Sequence, residues 1–115
     1  MTHDEIPPGT LDMLILGTLA RTLARGGEAH GFAIAEAIER RSSSVLRVEE
    51  GSLYPALQRM LMKGWIAGEW GRTEGNRRAR FYTITAAGRR QLERELKSWQ
   101  RVNAAIAGVL HLAGA

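Results

Sequence analysis

Apolar residues in the first half of the chain recur at intervals of three and four, which is the spacing of amphipathic helices. The first such segment predicts a helix over Thr10–Arg25, with Thr10 at its N-cap and Gly26 and Gly27 ending it. The next predicts a short helix over Gly31–Arg41. Each segment gathers its apolar residues on one side, so both helices are expected to pack against one core.

A third helix is predicted to begin at Ser52, inside the segment GSLYPAL of residues 51–57. With Ser52 as the N-cap, Pro55 falls in the first turn, where amides have no intrahelical acceptor and proline is tolerated. Gly64 is then expected to cap the end of this helix in the left-handed conformation. The inward stripe consists of Leu53, Leu57, Met60 and Leu61, and the outward face of Tyr54, Pro55, Gln58, Arg59 and Met62.

The periodicity changes after the third helix. Two runs rich in strand-forming residues, 65–70 and 79–85, flank a segment rich in Gly, Asn and Arg, which predicts a hairpin. Thr85 is then expected to cap a long final helix from Ala86 to about Leu112. The order is that of a winged helix-turn-helix, a mainly α fold with a β-hairpin wing (α+β). We therefore expect a lead-in over residues 1–9, a DNA-binding domain over 10–85 and a dimerisation helix over 86–115.

The charge of the chain favours an acidic partner, of which nucleic acid is the commonest. The net charge is +4 and the pI is near 10.3. The segment RTEGNRRAR at the predicted hairpin tip holds four arginines and one glutamate. Its candidates for phosphate or minor-groove contacts are Arg72, Asn76, Arg77, Arg78 and Arg80. Because strand residues alternate between faces, not all four arginines are expected to contact DNA equally.

The outward face of the third helix suits the reading of double-stranded DNA. Gln58 can pair with adenine, Arg59 with guanine or phosphate, and the Tyr54 hydroxyl with phosphate. The alternative is that Tyr54 packs under the wing while Gln58 and Arg59 are only solvated.

The final helix carries a heptad seam with one polar position, formed by Leu92, Leu96, Trp99, Asn103, Ile106 and Leu110. The seam extends well past the wing, so we expect a partner helix, most simply from a second copy of the chain, with Asn103 fixing the register. The alternative is a helix that folds back on its own domain. Trp99 on this seam is expected to pack in the interface, and could also line a slot for an aromatic ligand.

No catalytic or cofactor chemistry is indicated. The chain has no cysteine, its three histidines are far apart, and no phosphate-binding loop or dinucleotide fingerprint occurs. His30 is expected to help start the second helix rather than bind a metal, and Glu49 and Glu50 to favour the helix dipole or bond a neighbouring arginine. No run approaches a membrane span, and a cytoplasmic protein without enzymatic activity, cofactor or metal is expected.

The sequence resembles the PadR family of bacterial transcriptional regulators. The stretches that match are LDMLILGTLA, HGFAIAEAI, VEEGSLYPALQRMLMKGWI, GNRRARFYTITAAGRRQL and the final helix. The resemblance implies a cytoplasmic homodimer, usually a repressor, whose C-terminal helices cross. It implies DNA contacts from the wing arginines and from the third helix, at Ser52, Tyr54, Pro55, Gln58 and Arg59. Phe32 stands where the family often has tyrosine.

The resemblance also bears on ligands. Some relatives release DNA on binding phenolic acids, and one binds planar drugs between paired tryptophans of its last helix, a placement similar to that of Trp99. A planar aromatic or phenolic effector is therefore a possible partner, beside the operator DNA and the second copy. The competing hypothesis is a winged-helix protein-interaction module whose long helix docks a different protein.

Overall fold

The computed structural model describes residues 5–7 and 9–112 of the chain, and this part contains four α-helices and three strands. The elements are α1 (Leu11–Ala20), β1 (Ala29–His30), α2 (Gly31–Arg41), α3 (Glu50–Met62), β2 (Ile66–Arg72), β3 (Arg78–Ile84) and α4 (Ala86–Val109), with a 3₁₀ turn at Ala24–Gly27. The predicted α+β winged-helix fold is confirmed. Most of the predicted lead-in over 1–9, and the chain beyond residue 112, lie outside the described residues.

The core lies between the first three helices and the sheet. Its largest fully buried side chains come from the apolar stripes of these helices: Ile15, Leu16, Leu19, Ile34, Leu53, Leu57 and Met60. Ile66 and Tyr82 of the sheet join the same cluster, and Leu61 and Leu92 pack against its edge. The predicted inward stripe of the third helix therefore faces the core.

Helix α1 is shorter than predicted. It ends at Ala20 rather than Arg25, and the chain then enters a 3₁₀ turn. Within that turn Arg25 and Gly26 have left-handed backbone angles, with φ of 53° and 66°. An α-helix cannot pass through these angles, so the predicted extension to Arg25 is wrong.

The start of α3 also differs from the prediction. The helix begins at Glu50 with Glu49 at its N-cap, because the amides of Ser52 and Leu53 both donate to the Glu49 carbonyl, at 3.0 and 2.9 Å. Ser52 is therefore not the cap, and Pro55 is the sixth helical residue instead of lying in the first turn. Its ring removes the amide that would have bonded the Gly51 carbonyl. Gly51 is exposed, so solvent reaches the carbonyl that loses this partner.

The end of α3 follows the prediction. Gly64 has a φ of 74°, the left-handed conformation expected of a glycine just past the C-cap. The Gly64 amide donates to the Leu61 carbonyl at 3.1 Å, and the Trp65 amide to the Met60 carbonyl at 3.0 Å. This pair of bonds is a Schellman motif, and it turns the chain from α3 directly into β2.

The sheet has three antiparallel strands in the order β1-β3-β2, where the sequence predicted only a hairpin. Strand β1 pairs Ala29 with Tyr82 and His30 with Phe81. Two residues are too few for an alternating pattern, so the sequence carries no signal for this strand. His30 then caps α2 as expected, because its Nδ1 accepts a hydrogen bond of 3.2 Å from the Ala33 amide.

Helix α4 is anchored at its start and packs on α1 through its first half. The Thr85 hydroxyl accepts from the Gly88 amide at 3.0 Å, as predicted for an N-cap, and donates to the Gly64 carbonyl at 2.6 Å. The 24 residues of the helix extend about 36 Å. It ends at Val109, three residues before the prediction, since His111 turns the chain with a φ of 56°.

Candidate nucleic-acid interface

An open groove of about 780 Å³ separates α3 from the β2–β3 hairpin, and we call it the wing groove. Helix α3 contributes Tyr54 and Gln58 to its lining, and the hairpin contributes Trp70, Arg77, Arg78 and Arg80. The sequence had predicted that five of these six residues, all except Trp70, contact DNA. The fold thus brings the outward face of the third helix and the basic hairpin to one surface.

Tyr54 is partly packed and partly exposed. Its side chain is 48% exposed, yet its ring lies against Gly31, the first residue of α2. A Cβ atom at Gly31 would stand 3.0 Å from the Tyr54 hydroxyl and Cε1. A larger residue at position 31 would therefore push the Tyr54 ring away from this contact, which braces α3 against α2. The exposed remainder of Tyr54 still faces the wing groove.

Arg59 is held by the protein itself. Its guanidinium forms an ion pair with the Asp12 carboxylate of α1, and the Asp12 side chain is only 16% exposed. The pair fixes α3 to α1 and engages the side chain that the sequence assigned to DNA. Gln58, by contrast, is exposed and lines the wing groove. Ser52 and Pro55 are exposed on α3 but lie outside the residues lining the groove.

The N-terminus of α3 is acidic. Glu49 is the N-cap residue and Glu50 lies in the first turn, where negative charge favours the helix dipole. The Glu49 carboxylate pairs with the Arg47 Nε at 3.8 Å, as the sequence suggested. Two carboxylates at this end oppose a DNA phosphate there. The negative charge therefore disfavours phosphate binding at this end of α3.

The hairpin tip is a short hydrogen-bonded turn. The Thr73 amide donates to the Arg77 carbonyl and the Asn76 amide to the Thr73 carbonyl, both at 2.9 Å. Asn76 has a φ of 61°, the left-handed conformation that asparagine tolerates in turns. The Arg72 guanidinium donates to the Asn76 carbonyl at 3.2 Å, so it stabilises the tip. Arg77 is exposed beside it.

Arg78 and Arg80 share one face of the hairpin with Trp70. In the register, Trp70 pairs with Arg80 and Arg72 with Arg78, and directly paired residues point to the same side of a sheet. The Arg78 guanidinium carbon lies 4.5 Å from the centroid of a Trp70 ring. Trp70 was not predicted from the sequence, because it is neither a charged nor a turn residue. Its cross-strand position opposite Arg80 was the available signal.

On the other face of the hairpin, Phe81 packs against β1 and the 3₁₀ turn. The rings of Phe81 and His30 meet edge to face, with 5.4 Å between their centroids. The guanidinium carbon of Arg25 lies 3.9 Å from the centroid of the Phe81 ring. Tyr82, on the groove side, reaches the core, and burial raises its pKa above the ordinary value while Arg80 opposes that change. These contacts fix the position of the wing relative to the helices.

Two further classes of site are absent from residues 5–7 and 9–112. No helix in that part of the chain is long and apolar enough to cross a membrane. Nor do three or more His, Asp or Glu side chains come together there in a way that could hold a metal ion.

A three-helix unit with a hairpin wing beside its third helix defines a winged helix-turn-helix protein of the DNA-binding class. The model of the transcriptional regulator PadR-like family matches residues 20–94. The chain belongs to this family. Its members are transcription regulators that bind DNA and have no enzymatic activity, so the predictions of family and non-enzymatic class are confirmed.

Solved structures agree with this assignment. A transcriptional regulator from Clostridium thermocellum superposes with a TM-score of 0.76 at 25% identity, over 87% of this chain and 92% of that one. A PadR family regulator from Eggerthella lenta gives 0.74 at 25% identity, over 90% and 84%. A PadR-like regulator from Bacillus cereus gives 0.71 at 27% identity, over 89% and 92%.

Two relatives match in sequence. The uncharacterized protein X of Lysinibacillus sphaericus is 26% identical over 102 residues, which is 89% of each chain. An uncharacterized 37.1 kDa protein of a Streptomyces fradiae transposon is 40% identical over 91 residues. That match covers 79% of this chain but only 23% of the transposon protein.

Proposed function

We propose that the chain is a homodimeric repressor that acts in the cytoplasm and binds an inverted-repeat operator through α3 and the wing. The observation that supports this most is the wing groove, where Gln58 of α3 faces the hairpin arginines across an open space. A glutamine on an exposed helix face suits a base edge, and arginines on a flanking hairpin suit phosphates.

The two surfaces have different tasks in this proposal. Gln58 distinguishes bases, because its amide can donate to and accept from adenine in the major groove. Arg77, Arg78 and Arg80 hold the register of the protein on the duplex by contacts with the backbone. Arg59, which pairs with Asp12, keeps α3 in place relative to α1. The DNA-contact role expected of Arg59 from the sequence is replaced here by this positioning role.

A second copy is proposed on the far half of α4, where an apolar stripe stays exposed. Leu96 is 38% exposed, Trp99 47%, Ile106 51% and Leu110 60%, with Asn103 also exposed between them. Leu92, the first residue of the predicted seam, instead packs against the core of its own chain. Two copies joined along this stripe would carry two α3 helices, which successive major grooves accept at a spacing of about 34 Å.

Paired substitutions in α3 and the wing test the DNA-binding proposal. Gln58→Ala is expected to lower affinity for the selected operator about tenfold and to leave affinity for unrelated DNA unchanged, because it removes a base contact. Arg78→Ala is expected to weaken both and to flatten the salt dependence of binding, because it removes a phosphate contact. The measurement is equilibrium binding to sites selected from random DNA, at several salt concentrations.

Either of two results would contradict the proposal. One is wild-type binding that does not change with salt or cannot be detected on any selected site. The other is an equal loss of specificity in both variants, since phosphate contacts carry no sequence information. Because both side chains are exposed, each variant is expected to fold like the wild type, and circular dichroism is the control for this.

We further propose that Trp99 at the dimer interface contacts a planar aromatic or phenolic effector that releases DNA. Its ring is half exposed in the single chain and lies in the middle of the apolar stripe, so two copies would bring two rings together. Titration with planar aromatic compounds should quench tryptophan emission in the wild type and leave Trp99→Ala largely unaffected. Quenching that persists in Trp99→Ala would assign the signal to Trp65 or Trp70 and remove Trp99 from this role.

A further inference from the structure

Three of the four hairpin arginines differ in what holds their guanidinium groups. The guanidinium of Arg72 donates to a carbonyl of the tip. Arg78 and Arg80, by contrast, have no hydrogen bond or ion pair to any residue among 5–7 and 9–112. Both lie instead over neutral residues of β2. Their terminal N–H groups are therefore oriented by packing and keep their capacity for an external acceptor, whereas the Arg80 Nε is buried.

Arg78 rests on the Trp70 ring. The distance of 4.5 Å between the guanidinium carbon and the ring centroid lies within the range of a cation–π contact. Trp70 is 61% exposed, so this contact does little for the core. An arginine side chain loses up to about 2 kcal/mol of rotamer entropy when it is ordered. A platform that orders it before DNA arrives removes part of that loss from binding.

Arg80 rests on Gly68. A Cβ atom at Gly68 would stand 2.6 Å from the Arg80 Nε and 3.2 Å from its Cζ. The guanidinium therefore occupies space beside the strand that a side chain at residue 68 would fill. Its Nε is buried and has no partner within the described part of the chain. A glycine inside a strand weakens that strand and often marks the close approach of another group, which here is the Arg80 side chain.

We propose that Trp70 and Gly68 are positioning residues for DNA binding: together they form a platform on β2 that presets Arg78 and Arg80 toward the sugar–phosphate backbone. The inference rests on the proposed function, since it assumes that these arginines contact DNA. It adds the residues that set the direction of the two guanidinium groups. Neither platform residue is charged, so electrostatic reasoning on the sequence overlooks both.

A double-substitution cycle tests the Trp70 half of the platform. Trp70→Ala is expected to weaken operator binding about fivefold to tenfold, the size of one exposed cation–π contact and its ordering. In a chain that already carries Arg78→Ala, the same change should alter affinity less than twofold. Trp70→Phe keeps a ring under the guanidinium and should restore binding to within about threefold of the wild type.

Gly68→Ala tests the other half with a readout that separates positioning from stability. Alanine is no worse than glycine inside a strand, and the atoms it displaces belong to the flexible Arg80 side chain. Thermal stability is therefore expected to be unchanged or higher while operator affinity falls about fivefold. The same substitution in an Arg80→Ala chain should leave affinity within twofold. Leu23→Ala, at a residue 91% exposed after α1, is the matched control and should leave binding unchanged.

The outcomes separate this inference from the proposed function. If the wild type has no specific operator, the proposed function itself fails. If the wild type binds but Trp70→Ala and Gly68→Ala keep full affinity, only the platform is wrong. A full loss from Trp70→Ala that persists in the Arg78→Ala chain would make Trp70 an independent DNA contact and would overturn the positioning role.

Discussion

Gly88→Ala is expected to destabilise the folded domain by about 3 kcal/mol, the upper end for an overpacked site. An added Cβ would overlap the Trp65 carbonyl oxygen and stand 2.9 Å from the Ile84 Cγ1. Neither neighbour can move easily, because the Trp65 carbonyl also accepts from the Thr85 amide at 3.0 Å. The Gly88 amide is itself bonded to the Thr85 hydroxyl. A shift of α4 would therefore break its own N-cap.

Chemical denaturation at one protein concentration measures this effect, and Gly108→Ala is the matched control. Gly108 lies in the same helix, is exposed, and has no atom within 4 Å of the position of a new Cβ. Alanine is the better helix former, so this control should be neutral or stabilising by up to about 1 kcal/mol. Equal stability of the two variants would show that Gly88 of α4 does not pack closely against the Trp65 carbonyl.

The sequence predicts best those features that a few adjacent residues decide. Thr85 as an N-cap, Gly64 as a left-handed cap and His30 at the start of α2 each depend on hydrogen bonds within five residues along the chain. Amphipathic spacing gave the inward stripe of α3 for the same reason, since the residues on one face are fixed by the helical period.

Features that depend on distant residues could not be predicted. Arg59 is 47 residues from Asp12, and a reading of α3 alone leaves its side chain free for DNA. Strand β1 exists only because β3 offers it a partner. The prediction of where α3 begins was wrong for a different reason. Serine is a preferred N-cap residue, but Glu49 occupies the N-cap position. Pro55 inside the helix is tolerated because that turn is exposed.

Ile106→Glu is expected to convert the proposed dimer into monomers and to weaken operator binding about a hundredfold or more. Ile106 is 51% exposed in the single chain, so a glutamate there is hydrated and leaves the winged-helix domain folded. In the proposed dimer the same side chain is buried in the α4 stripe, where an unpaired carboxylate is costly. Two linked recognition helices gain affinity from effective concentration, and a monomer loses that gain. Light scattering and operator binding measure the two effects.

Ala104→Glu is the control, since it adds the same charge at an exposed residue of α4 that lies off the heptad seam. It should keep the dimer and bind the operator within about twofold of the wild type. A dimer that survives Ile106→Glu with full affinity would place the contact between copies elsewhere. A wild type that is monomeric on its own and binds one different protein through α4 would favour the hypothesis of a protein-interaction module.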